Sequence, residues 1–210
     1  MPRVFIAPIG FHEDFVLRSL IVLNGSRNDV LLVLSCIPIL GGVRTAIENL
    51  AGLARRQGLP DPQVVELECS NLYHSLRHLR GVLKKYLSND IVLIAGGGLR
   101  ALTIIAIIAL ISYKKPFTIH YEPETDMERF TVKPELLVNI YSNPGETELR
   151  ALEEIIKSPG LDVKELAHRL GLKEKSTRNL VTRLKKRGLV VKKGRREGIY
   201  PTDIALALYS

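Results

Sequence analysis

A chain of 210 residues, 46% of them hydrophobic and none of them tryptophan, is long for one compact domain and sufficient for two aliphatic cores, which excludes a disordered polypeptide. Its net charge of +8 is unevenly placed: residues 161–200 hold 13 Lys/Arg against 4 Asp/Glu, a local surplus of nine, so everything else nets about −1. A basic field confined to one stretch is the footprint of a surface that meets phosphates.

The first run, 3–9, is apolar and β-leaning, and 13–23 follows with helical spacing through Phe15, Leu17, Leu20 and Leu23. Residues 30–35 (VLLVLS) form a continuous buried run, and Gly41-Gly42 leads into a helix over 43–57. A strand over 64–69 and a helix over 72–87 come next, the helix carrying a leucine every turn from Leu72 to Leu87. The run 91–95 (IVLIA) then reaches Gly96-Gly97-Gly98, which opens an apolar helix over 99–113. That helix is too short to span a bilayer, which needs roughly 20 apolar residues. Segments 117–121 and 129–132 read as a closing antiparallel pair. Cys36 and Cys69 each end an apolar run and lack C-x-x-C spacing, so they define no zinc site and no disulfide framework. They read as small buried hydrophobes in a reducing cytoplasm. Without a charged leader segment, a cytoplasmic protein is expected, with no membrane contact.

Continuous apolar strands separated by helices mean a mostly parallel sheet covered on both faces, hence an α/β, Rossmann-like, doubly wound domain over 1–133. Ligands of such sheets sit outside the carboxyl ends of the strands, here Pro8-Ile9-Gly10-Phe11 and Gly96-Gly97-Gly98. The glycines allow close backbone approach to a phosphate, the helix N-terminus offers N–H groups, and Arg100 adds charge. Neither a full G-x-G-x-x-G nor a P-loop is present. The pattern weakens over 134–144, a linker that ends at Asn143-Pro144-Gly145 and can hold a connecting helix over 135–142.

A winged helix-turn-helix fills 145–210. A helix over 146–157 stops at Ser158-Pro159-Gly160; Asp162 caps a helix over 163–170; Gly171 supplies the tight turn. In the recognition helix, 174–187, Thr177, Val181 and Leu184 share one side, with Leu180 flanking. Lys173, Lys175, Ser176, Arg178, Asn179, Thr182 and Arg183 face away, the side chains able to hold phosphates and read base edges. Either Ser176 caps a shorter helix, or the N-terminus is left to solvent and DNA phosphate. Strands over 189–193 and 198–201 flank Gly194-Arg195-Arg196-Glu197, a wing with Arg195 and Arg196 at its tip. A last helix, 202–209, is capped by Thr202 or Asp203 and apolar enough to dock or dimerise.

The run GFHEDFVLR at Gly10–Arg18, the loop Gly42-Val43-Arg44-Thr45 and the GGGLR element resemble CRISPR-associated Rossmann-fold (CARF) domains. With the winged end, nearly the whole chain resembles the archaeal CRISPR-associated CARF transcription regulators. The resemblance implies a homodimer through the CARF domain, double-stranded promoter DNA as one partner, and a cyclic oligoadenylate, foremost cyclic tetra-adenylate, bound across the dimer axis. The matching ligand positions are Pro8, Ile9, Gly10, Phe11, Gly96, Gly97, Gly98, Leu99 and Arg100, with Gly42, Arg44 and Thr45 as a third group. The apolar helix over 99–113 independently asks for burial on both faces, by the sheet and by a partner copy.

Two other readings stand beside this one. A ring nuclease would ask His12 and Glu13 for acid–base work, although His12 reads first as a surface residue. A dinucleotide- or metabolite-sensing repressor would keep the same DNA-binding end. His74 and His78 are i, i+4 without a third ligand, so no metal, cofactor or catalytic residue is assigned.

Overall fold

Five strands line up in parallel: the first, second and fourth are nearly continuous buried runs, and each of the first four is followed by a helix. The computed structural model describes residues 2–123, 128–193 and 198–210. Two compact units divide the chain, 1–134 and 135–210. In the first, β1 (Arg3–Pro8), α1 (Asp14–Val22), β2 (Val30–Cys36), α2 (Gly41–Gln57) and β3 (Pro62–Leu67) alternate. They are followed by α3 (Leu72–Leu83), β4 (Asp90–Ala95), α4 (Arg100–Ile111), β5 (Thr118–Tyr121) and β6 (Phe130–Val132). The sheet order is β3-β2-β1-β4-β5-β6, and only β6 is antiparallel. The Rossmann-like, mostly parallel architecture expected from the strand runs is therefore present.

Strand order reverses at β1. The chain first winds outward to β2 and β3, then returns to place β4 on the other side. The loops after β1 and β4 consequently part, leaving a crevice at the carboxyl end of the sheet. Val4 to Ala7 and Ile91 to Ile94 are buried, so the strands that carry these loops form the middle of the core. In α2, Val43, Ala46, Leu50 and Ala54 face inward at helical spacing, and Gly58, at φ 70°, ends the helix.

Several boundaries differ from the sequence expectation. The third strand ends at Leu67, two residues before Cys69. The third helix closes in a 3-10 turn over Lys84–Tyr86; Lys115 then binds the Leu87 carbonyl, and Asn89 donates to Pro2 O at 2.7 Å, directing the chain into β4. The fourth helix starts one residue later than its glycine turn suggests, with Leu99 as N-cap, and stops before Lys114, whose φ is 52°.

The two cysteines correct a second expectation: Cys36 and Cys69 are joined by a disulfide, Cα–Cα 5.4 Å, and both are only partly buried. A separation of 33 residues hides what the sheet creates, because the β2–β3 register runs to Cys36 opposite Leu67, which brings Cys69 alongside.

The second unit contains α5 (Pro134–Tyr141), α6 (Glu146–Lys157), α7 (Val163–Leu170), α8 (Glu174–Lys186), β7 (Val190–Lys193), β8 (Gly198–Pro201) and α9 (Asp203–Tyr209). Leu152 and Ile155, Leu166, Leu184, Leu189 and Ile199 meet in its core. Asp162 accepts from Glu165 N at 2.8 Å and Thr202 from Ala205 N at 3.3 Å, the two caps expected. Helix α5, expected within a linker, is instead fastened to the end of α8. Asn139 donates to Arg187 O at 2.9 Å and accepts from Arg187 Nε at 3.1 Å.

Replacing Cys36 and Cys69 together by serine is expected to lower unfolding free energy by about 3–4 kcal/mol, the chain-entropy value for a loop of this length. Urea unfolding of the first unit measures it, and an unchanged midpoint would show that the bridge adds nothing to stability.

Candidate functional site

Pocket and recognition helix lie in separate units. The first builds a cavity of about 470 Å³ in the crevice between the loops after β1 and β4. Its wall contains Ile9, Gly10 and Phe11 from one loop and Gly97, Gly98 and Leu99 from the other, six of the residues expected from sequence. The remaining ligand candidates stand behind or beside it. Pro8 ends β1 and backs Gly98; Gly42 underlies Phe11; Gly96 rests on Glu122. Arg44 and Arg100 are exposed in the first turns of α2 and α4, and the Thr45 hydroxyl donates to Gly41 O at 3.1 Å. The sequence did not point to Phe15, Ser35, Cys36, Pro38, Leu40 and Val43, which complete the wall with His12. Phe15 comes from α1, and the others from the end of β2 through the start of α2, whose role appears only once β2 is placed next to β1.

Glycine is required here by contact as much as by torsion. Gly98 has φ 76°, and a Cβ on it would lie 2.8 Å from Pro8 C and 2.9 Å from Ile9 N. Gly96, at φ 142°, abuts the Glu122 carbonyl so closely that any side chain would overlap it. Among the described residues the wall holds no Lys, Arg, Asp or Glu, so the cavity itself suits a neutral, planar, largely apolar group. Phe11 is 62% exposed at its mouth. Helices α2 and α4 both begin at this rim, their first N–H groups free of intrahelical partners.

Behind the glycine turn lies a cluster the sequence did not announce. Glu122 is fully buried and is met by Arg129 Nε at 2.6 Å, Arg18 Nε at 3.4 Å and His120 Nε2 at 3.6 Å. Burial alone would push its carboxyl up; the Arg129 hydrogen bond and the charges of Arg129, Arg18 and His120 bring it net below its ordinary value.

In the second unit α8 divides as its spacing predicts. Thr177, Leu180, Val181 and Leu184 are buried, while Lys173, Lys175, Ser176, Arg178, Asn179, Thr182 and Arg183 are exposed. The start of α8 is fixed by Lys173, an N-cap in extended conformation whose side chain makes no capping bond. Ser176 therefore lies inside the helix, and the first N–H groups stay open to solvent or an anion.

The exposed residues are not equivalent. Arg178 pairs with Glu174 across one turn at 3.4 Å, both half-exposed, an ion pair worth little and easily exchanged. Thr182 spends its hydroxyl proton on Arg178 O. Arg183 instead donates Nε to Glu148 of α6 at 2.7 Å, and Glu148 also accepts from Gly145 N at 3.2 Å. For Glu148, burial raises the carboxyl, but Arg183, the Gly145 N–H and Arg187 lower it further, leaving it below the usual range. Arg195 and Arg196, expected at the wing tip, fall outside the described residues; β7 and β8, which flank them, pair from Val190–Pro201 to Lys193–Gly198. Among the described residues no helix is long and apolar enough to cross a membrane, and no cluster of three His, Cys, Asp or Glu could hold a metal.

A parallel α/β sheet with a ligand-sized crevice, followed by a winged helix with a polar recognition face, defines a Rossmann-like domain joined to a DNA-binding module. The model of the Csa3 CRISPR-associated Rossmann-like domain matches residues 3–133, and that of the MarR family matches 142–206. The chain belongs to the Csa3 family. Over 205 residues it is 25% identical to the CRISPR locus-related protein Csa3 of Saccharolobus solfataricus, covering 97% of this chain and 86% of that one. It is also similar to the PcaV transcriptional regulator of Streptomyces coelicolor, 29% identical over 32% of this chain, with a TM-score of 0.31; the match spans about half of that chain, 52%. Can2 of Sulfobacillus thermosulfidooxidans, solved with cyclic tetra-adenylate, is 13% identical over 99% of this chain and 63% of its own, with a TM-score of 0.44.

The contrast between the two arginines is testable. Arg178→Ala should weaken specific DNA binding by about 1–3 kcal/mol in a fluorescence titration, with no change in unfolding. Arg183→Ala should lose both DNA affinity and stability, because it removes the nearest cation of the buried Glu148 carboxylate and leaves it only the Gly145 N–H and Arg187 at 4.0 Å. Stability unaffected by Arg183→Ala would refute the anchoring role.

Acid should expose the same pair. A carboxyl depressed in the folded state stabilises the fold above its unfolded pKa, and that contribution is lost as pH falls through the folded value. Unfolding free energy is therefore expected to fall as pH drops below the ordinary carboxylate range. Glu148→Gln should flatten that part of the curve in denaturant titrations between neutral and acid pH.

Proposed function

We propose that this protein is a CRISPR-associated transcription regulator. It binds double-stranded DNA through α8 and the wing, under the control of a cyclic oligoadenylate held by a CARF-like domain. The observation that carries this reading is the largely apolar crevice between the β1 and β4 loops, rimmed by two helix N-termini, in the same chain as a polar recognition helix. An adenine base suits the apolar cavity, and Phe11 offers a face for stacking. Phosphates suit the N–H groups at the starts of α2 and α4, whose first turns contribute Arg44 and Arg100. Ile9, Gly10, Gly97, Gly98 and Leu99 line the base-binding part; Pro8, Gly42, Thr45 and Gly96 support it from outside the cavity.

A ring that alternates bases and phosphates is larger than one cavity and calls for two. We infer a homodimer, and α4 supplies the face for it: Ile104 and Ile108, 55% and 41% exposed, stand one turn apart on a helix whose other side is buried. Two recognition helices would then read half-sites about one DNA turn, ~34 Å, apart. In this reading Lys173, Lys175, Ser176 and Thr182 serve the phosphates, Arg178, Asn179 and Arg183 the base edges, and Arg195 and Arg196 the backbone beside the wing. Residues 1–133 act as sensor, 134–144 as connector and 145–210 as the DNA-binding domain. A DNA partner implies a cytoplasmic setting.

His12 in the wall keeps a ring-nuclease reading in view. One titration separates the alternatives: calorimetry of the purified protein with cyclic oligoadenylates of several ring sizes and with dinucleotides. Cyclic tetra-adenylate is expected to bind at one ring per two chains, and Phe11→Ala to weaken it about tenfold or more, the scale of one lost stacked base. Preference for a dinucleotide would replace the ligand assignment, and linear product in the incubated mixture would establish the nuclease.

A further inference from the structure

The three glycines after β4 each rest on something different. Gly98 rests on the end of β1, Gly97 on the ring of Phe15, and Gly96 on the backbone carbonyl of Glu122. Two of these three supports are joined by ions. Glu122 follows β5 directly, and its N–H donates to Ala95 O at 2.8 Å, adding one rung to the sheet beside the turn. Its carboxylate is enclosed, and among the described residues three groups face it: Arg129 Nε from the segment before β6 at 2.6 Å, Arg18 Nε from α1 at 3.4 Å, and His120 Nε2 from β5 at 3.6 Å. The Arg18 guanidinium also lies over the Phe15 ring, 5.3 Å from its centre, and donates to Pro123 O at 3.4 Å. Arg18 thus connects the residue under Gly97 to the residue behind Gly96.

An arrangement selected for stability alone would not look like this. A buried ion pair rarely outperforms packed apolar residues of similar volume, whereas it holds one geometry specifically. Among the described residues, neither ring nitrogen of the buried His120 has a hydrogen-bond partner, a cost that a purely structural core avoids. The turn it backs provides Gly97, Gly98 and Leu99 to the cavity wall. We propose that Glu122, clamped by Arg18 and Arg129, is the positioning residue of the ligand pocket, setting the Gly96–Gly98 turn at the distance from the β1 loop that the ligand requires. This rests on the reading of the crevice as a ligand site.

The design of the cluster makes the role separable from folding. Glu122 is fully enclosed, but Arg18 and Arg129 keep 44% and 46% of their side-chain surface in water. Glu122→Gln keeps the side chain's shape and lets both guanidiniums turn to solvent, so neither arginine is left as a buried unpaired charge. Arg18→Met removes the cation from the other end while its stem still covers Phe15.

The test compares wild type, Glu122→Gln and Arg18→Met in three measurements: amide NMR signals of Gly96, Gly97 and Gly98 in the ligand-free protein, the Kd for cyclic tetra-adenylate, and the urea midpoint. Both variants are expected to shift or broaden the three glycine signals and to raise Kd about tenfold, the scale of one lost charge-assisted hydrogen bond. Unmoved glycine signals with wild-type affinity overturn the proposal. So does a lowered midpoint with unmoved glycine signals, since the cluster would then be structural only. If wild-type protein binds no cyclic tetra-adenylate, the ligand assignment fails on its own, and the glycine signals still decide whether Glu122 positions the turn.

Discussion

Most of the first unit follows from one close contact, the approach of Gly98 to the backbone between Pro8 and Ile9. Parallel strands β1 and β4 are neighbours whose connections leave in opposite directions, so their carboxyl ends would normally splay. Backbone against backbone at that point holds the two loops together at their base while their outer parts diverge. The cavity is the space between them. A methyl group on Gly98 would meet Pro8 at 2.8 Å, and the loops would have to separate to admit it. The same turn releases the chain into α4, whose inner face, Leu102, Ile105, Ala106, Ala109 and Leu110, then covers the sheet. Site and core are consequently set by the same three residues.

The winged-helix unit is organised by buried polar groups. Glu148 ties the start of α6 to α8, and Asn139 ties α5 to the end of α8. Both act on the recognition helix, one in its last turn and one just past its end. Such bonds contribute modest net stability but fix orientation, because leaving either partner unsatisfied is costly. A helix that must present Arg178 and Asn179 in one register benefits more from orientation than from extra burial. Arg183 is divided between these tasks: half of its side chain faces solvent, and its Nε is committed to Glu148.

What could be read from the sequence depended on how local the physics is. Apolar runs, helix period and caps are local, so the strand–helix alternation and the bounds of α6 and α7 were legible, as was the buried side of α8. That the β1 and β4 loops would line a crevice was legible too, because a doubly wound sheet opens one where its strand order reverses. Groups whose meaning depends on sheet order were not. Cys36 and Cys69 are 33 residues apart and become neighbours only through the β2–β3 register. Glu122 lies in an ordinary-looking segment and gains its significance from Arg18, more than a hundred residues earlier in the chain. Arg18 itself was part of a motif that drew attention for its likeness to a family, with no visible reason for an arginine. Helix α5 was expected over 135–142, but its docking was hidden for a related cause: the fastening, Asn139 to Arg187, spans 48 residues. In each case the missing information was a long-range pairing that leaves no periodic trace.

The electrostatics of the two units also differ in a way that bears on control. Positive charge is concentrated in the DNA-binding end, where long-range attraction to phosphate is useful and sequence is read by shorter contacts. In the Rossmann-like unit it is nearly neutralised. Its buried carboxylate is surrounded by arginines and a histidine, and the described cavity wall holds no Lys, Arg, Asp or Glu. A pocket of that kind discriminates poorly between simple anions and well between shapes. Inorganic phosphate could use the helix N-termini but would leave the apolar cavity empty, and a neutral base could fill the cavity without engaging the N-termini. Only a ligand presenting both, at a fixed spacing, gains from both, and the spacing is set by how far the glycine turn stands from the β1 loop. Selectivity in such a site is a property of backbone position, which is why a buried ion cluster behind the turn matters to recognition without touching what is recognised.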